Sequence, residues 1–89
     1  MISEWLRKRV TPEEAEASNM VRSEQLGPDP VPFGFVNADW KELLAQMSEG
    51  DELWEFRSPP ETWVRLCGSA GYALIRRGKV IASVETELN

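Results

Sequence analysis

Apolar side chains recur at helical spacing in one stretch of the chain and alternate with polar ones in others, and this contrast predicts most of the elements. Trp40, Leu43, Leu44 and Met47 follow the i, i+3, i+4, i+7 template of a helix with one apolar face, with Asn37 placed to cap it and Gly50 to end it. Leu53 to Arg57 alternates as a strand does: Trp54 and Phe56 fall on one face, Leu53, Glu55 and Arg57 on the other. Ser58-Pro59-Pro60-Glu61 reads as the start of a short helix whose Trp63, Leu66 and Cys67 form a buried stripe, ended by Gly68. Two β-rich runs, Tyr72–Arg76 and Lys79–Val84, flank Arg77-Gly78 and predict a hairpin. The second run is apolar on both faces and is expected to be the central strand. The order helix, strand, helix, strand, strand predicts an α+β fold: a three-stranded sheet with two helices on one face, its strand order left open.

Ahead of this unit the pattern is weaker. Ile2, Trp5, Leu6 and Val10 fall near one helical face, which predicts a helical N-terminal arm. Thr11-Pro12-Glu13-Glu14 matches a capping box with proline at the first helical position, so a second helix is expected from Thr11 to about Gln25, ending before Gly27. Pro28, Pro30 and Pro32 then impose an extended backbone. The expected division is an N-terminal arm and proline-rich linker, 1–35, and a compact α+β domain, 36–89.

Composition narrows the chemistry. The chain has 89 residues, enough for one small domain that buries about two-thirds of its extended surface. Its longest apolar runs are far too short to span a bilayer, and no apolar segment follows Arg7, Lys8 and Arg9, so neither a membrane role nor a secretory leader is expected. Ten basic residues against fifteen acidic ones give a net charge of −5, whose field disfavours nucleic acid. Cys67 is the lone cysteine, which permits no internal disulfide and fits a cytoplasmic setting. Histidine is absent, which removes the triads, dyads and zinc sites that depend on imidazole. No metal or cofactor is expected.

The residual motifs carry little chemistry. Cys67-Gly68-Ser69-Ala70 has the look of a cysteine-protease neighbourhood, but a thiol at a helix C-terminus with no imidazole is not activated, and a buried, inert cysteine is expected. Gly68 and Gly71 have the spacing of an RNA-clamping loop without its basic surround. Glu49, Asp51, Glu52 and Glu55 lack the ligand spacing of a calcium loop and read as solvated surface. Arg76, Arg77 and Lys79 at the hairpin tip are candidate anion contacts. Trp40 and Trp63 belong to the core, whereas Trp5, Phe33 and Phe35 lie outside the compact unit and either fold back over the open face of the sheet or contact another chain, which makes them candidate partner contacts.

Gly50-Asp51-Glu52-Leu53-Trp54-Glu55-Phe56, Ser58-Pro59-Pro60-Glu61-Thr62-Trp63, Gly68, Gly71-Tyr72-Ala73-Leu74, Arg76, Gly78 and the final Asn89 resemble the pattern of a family of short uncharacterised bacterial proteins. The similarity covers roughly residues 36–89 and implies a bacterial, cytoplasmic protein, with no activity or site residue attached. The function expected is a small non-catalytic interaction module that self-associates or binds a protein partner. The alternative is a ligand-binding protein or carboxylate-dependent enzyme built on Glu52, Glu55, Arg57 or Arg65 and Tyr72.

Overall fold

Proline at position 12 governs the start of the chain. Its ring disfavours helical backbone at the preceding residue, and Thr11 is extended (φ −91°, ψ 159°). The computed structural model describes residues 3–88, leaving Ile2 and Asn89 outside. Within it a 3₁₀ turn (Ser3–Trp5) leads into strand β1 (Leu6–Val10), which enters Thr11 without a break in the extended path. The expected helical arm is thus corrected to a strand. Spacing alone favoured a helix; the open edge of the next strand, together with Pro12, selects the extended form.

The capping box forms as expected. Thr11 N–H donates to Glu14 Oε1 at 2.9 Å and Glu14 N–H to Thr11 Oγ1 at 3.1 Å. Helix α1 then spans only Pro12–Ala17, not the stretch to Gln25. Asn19 stops it: its Nδ2 donates to the Ala15 carbonyl and to the Tyr72 hydroxyl, both at 2.8 Å, so a side chain takes over a carbonyl that the next turn would have used. Beyond it, β2 (Met20–Val21) pairs with β3 (Val31–Pro32) as a two-stranded antiparallel ribbon, closed by a 3₁₀ turn at Glu24–Leu26. Of the expected extended proline run, Val31–Pro32 forms β3 while Pro28 and Asp29 make a bend.

A 3₁₀ turn (Gly34–Val36) feeds helix α2 (Asn37–Gln46), where Trp40 and Leu43 are buried and Leu44 and Met47 half-buried, as the periodicity predicts. Asn37 does not cap it; Val36 holds that position, and Asn37 Nδ2 donates to the Pro32 carbonyl instead. Strand β4 (Glu52–Arg57), helix α3 (Pro60–Val64), strand β5 (Ser69–Arg76) and strand β6 (Lys79–Leu88) complete the chain.

The main sheet has four strands, in the order β1-β4-β5-β6, all antiparallel, so the three-stranded expectation is corrected. The strand missed is β1, whose Leu6, Lys8, Arg9 and Val10 pair with Phe56, Glu55, Trp54 and Leu53. Its three charged residues hide the alternation, as is common on edges that must resist foreign strands. The expected central strand is also corrected. β5 is central and almost wholly buried, while β6 lies at an edge. The hairpin between them turns at Arg77 and Gly78, both at positive φ (52° and 78°) as a type I′ turn demands.

Helix α3 departs from its expected stripe. Arg65 caps its end and Leu66 adopts φ 58°, which turns the chain outward. Leu66 is 75% exposed and Cys67 is exposed; only Trp63 stays half-buried.

One face of the sheet carries the main core: Leu53, Tyr72, Leu74 and Val84 against Ala15 of α1, Phe33, and Trp40 and Leu43 of α2. Phe33 stacks on Trp40 with ring centroids 4.2 Å apart and meets Tyr72 edge-on at 5.5 Å. Trp40 Nε1 donates to Glu16 Oε2 at 2.8 Å, so its burial leaves no donor unpaired.

Gly68 and Gly71 are explained by close approach. A Cβ on Gly71 would lie 2.0 Å from the Val84 carbonyl oxygen, and one on Gly68 would lie 2.2 Å from the Trp63 ring. The Gly71 neighbour is backbone and cannot swing aside. Gly71→Ala is therefore expected to destabilise the fold by about 2 kcal/mol or more, read as a lowered urea midpoint; an unchanged midpoint would contradict this packing.

Candidate interaction surface

The second face of the sheet holds a separate apolar cluster. Phe56, Ala73 and Ile75 are almost fully buried there, with Trp5, Leu6 and Trp54 packed over them. No α-helix contributes to this cluster among the described residues. Val80, paired with Ile75 and so on the same face, is 37% exposed. The Cα extents of 38 × 37 × 17 Å fit a thin molecule in which α1 and α2 pack on one face of the sheet and this cluster covers the other. Trp54 is fixed by Nε1 donating to Glu52 Oε1 at 2.8 Å.

Register orders this face in rows. Arg9, Trp54, Ala73 and Ser83 run across all four strands in one row, and Leu6, Phe56, Gly71 and Glu85 in another. A cation therefore stands at the β1 edge and a carboxylate at the β6 edge, with aromatic surface between. Ser69 Oγ donates to Glu85 Oε2 at 2.7 Å.

The candidate partner contacts are dispersed. Trp5 belongs to the second face, Phe33 is core at 5% exposure, and Phe35 is 71% exposed in its 3₁₀ turn. The candidate anion contacts also separate. Arg77 and Lys79 are exposed at the hairpin tip, whereas Arg76 is occupied by the chain itself. Its Nε and Nη2 donate to the two oxygens of Asp51 at 2.9 and 2.8 Å, and Nη2 also reaches the Gln46 carbonyl at 3.0 Å. Asp51 is thus not solvated surface: its side chain is 2% exposed, and it accepts in addition from Ser48 N–H. No local pattern links Asp51 to Arg76; only the pairing of Glu52 with Ile75 brings them to the same end of the sheet.

The Arg76 hydrogen bonds, followed by the Ser48 N–H, hold the Asp51 carboxyl at about 2, below its usual 3.8. A carboxyl depressed on folding stabilises the fold above its ordinary value, and the gain is lost as pH falls toward the folded value. Stability is therefore expected to decline between about pH 4 and pH 2. Asp51→Asn should flatten that limb and lower the melting temperature at pH 7, measured by thermal melts across pH; an unaltered acid limb would contradict the assignment.

Glu55, Arg57 and Tyr72, three of the residues of the ligand-binding alternative, line one cleft of about 270 Å³ with Asn19 and Glu87, while Glu52 and Arg65 lie outside it. Four of these polar groups are engaged in pairs. Arg57 Nη1 meets Glu87 Oε2 at 3.2 Å, and its guanidinium carbon lies 4.2 Å from the centre of the Trp63 ring. The Tyr72 hydroxyl accepts from Asn19 Nδ2. Burial raises the Tyr72 pKa above its ordinary value; the Asn19 bond opposes this and the Glu55 charge adds to it, so the hydroxyl stays protonated at neutral pH. The cleft holds a phenol, two carboxylates and a guanidinium paired with one of them. Among the described residues, no group of three or more Asp, Glu or Cys side chains is placed to hold a metal ion, and no helix is long and apolar enough to cross a membrane.

No family model, curated protein or solved structure matches the chain.

Proposed function

We propose that the protein is a small non-catalytic interaction module of the cytoplasm that self-associates through the second face of its sheet. The observation that supports this reading is the row pattern of that face. Two such sheets stacked about a two-fold axis parallel to their strands place β1 of each copy over β6 of the other. Arg9 then lies over the partner copy's Ser83, one row from its Glu85, with Trp5 and Trp54 contributing the aromatic surface and Val80 placed at the β6 edge beneath the partner's β1. The face is thus self-complementary in charge as well as apolar, as an isologous interface requires. Four strands spaced about 4.8 Å apart give a face only some 20 Å wide, at the small end for stable complexes. The dimer should accordingly be of micromolar strength.

Sedimentation equilibrium tests this directly. The wild-type chain should pass from monomer to dimer between about 1 and 500 µM, and Val80→Lys should weaken the dimer by roughly tenfold or more without moving the melting temperature of the monomer. A wild-type chain that stays monomeric across that range would overturn the reading.

A further inference from the structure

Strand β6 ends the sheet, and no described residue pairs with its outer side. It is not uniformly open. Its register with β5 shifts twice, once between Leu74 and Ile75, leaving Ile81 unpaired, and once between Ala70 and Gly71, leaving Thr86 unpaired. Such bulges spoil an edge for further pairing. Between them Ala82, Ser83, Val84 and Glu85 run in regular register with Leu74, Ala73, Tyr72 and Gly71. These four residues form one wall of a groove of about 290 Å³ whose opposite wall is α2. The longest regular stretch of the edge among the described residues is therefore the one that faces a furrow.

The groove also states what it accepts. Asp39 and Glu42 of α2 project along it and Glu85 stands at its rim, with no basic residue in its lining. Asp39 and Glu42 are exposed. A second β6 placed alongside would bring these carboxylates against their own copies, so this edge repels itself.

We infer that the Ala82–Glu85 edge binds an extended basic segment of another protein, which adds a fifth strand to the sheet and lays its Lys or Arg side chains between β6 and α2. Backbone pairing supplies the affinity and the α2 carboxylates the choice of partner. The two sites share the Ser83 and Glu85 side chains, but Asp39 and Glu42 of α2 line the groove alone, so substitutions there act on strand binding and leave the stacked face intact.

The probe is a fluorescein-labelled Arg-Val-Lys-Val-Arg-Val peptide, with Glu-Val-Glu-Val-Glu-Val as its counterpart, followed by anisotropy on the full chain. The basic peptide should bind and weaken with added salt. Asp39→Asn/Glu42→Lys should reduce its affinity by roughly tenfold or more while leaving sedimentation behaviour unchanged. Amides within Ala82–Glu85 should exchange with deuterium more slowly in its presence. Equal binding of the acidic peptide, indifference to the double substitution, or unaltered exchange along β6 would each overturn the inference. So would salt-sensitive growth of the wild-type chain into species larger than a dimer, which would make the basic β1 strand of another copy the occupant.

Discussion

Phe33, Trp40 and Tyr72 meet at a single point, and the rest of the structure is arranged around that contact. Each ring comes from a different part of the chain: the segment after the proline run, the helix, and the central strand. Without Phe33, α2 would cover the sheet with a gap beneath its tryptophan, and cavities of that size cost several kcal/mol. The cluster also has polar handles at its rim. Glu16 takes the indole N–H and Asn19 the phenol, so α1 and the turn after it are held by the same rings that fix α2. A small domain has few such contacts to spare, and Phe33 holds its place with a left-handed backbone (φ 63°), a conformation that costs a bulky residue about 1–3 kcal/mol unless its surroundings impose it.

How much of this was legible in the sequence depended on whether the governing partner was near or far along the chain. The capping box at Thr11, the α2 stripe, the faces of β4 and the Arg77-Gly78 turn are all local, and all follow from residue type and spacing. What failed depended on distant pairing. Leu6 to Val10 reads as a helix until β4 is seen to need a neighbour. β6, apolar on both sides in its first half, reads as central until β5 is found fully covered and β6 alone at the edge. Leu66 and Cys67 continue a helical period that the backbone abandons at Leu66.

The same distinction applies to the functional surfaces. Trp5 reads as part of an outlying arm, and its place on the sheet emerges only with Phe56 and Leu6 in the same cluster. Phe33 carries no local mark of burial, because the rings that enclose it lie seven and thirty-nine residues onward. Arg76 looked free in a basic cluster, and Asp51 looked like solvated loop; their ion pair is a product of strand register. Asp39 and Glu42 drew no notice as ordinary polar positions of an amphipathic helix, and they gain meaning only from the strand that runs beside them.

The two outer strands differ in a way that bears on polymerisation. β1 ends the sheet with a cationic strand broken by its own register shift between Leu6 and Lys8, and β6 offers four usable residues between two bulges. Neither boundary presents the long, flat, uncharged ribbon on which cross-β growth propagates. Irregular register at both outer strands thus limits how far any foreign strand can pair along them, which disfavours growth of the sheet by edge-to-edge addition.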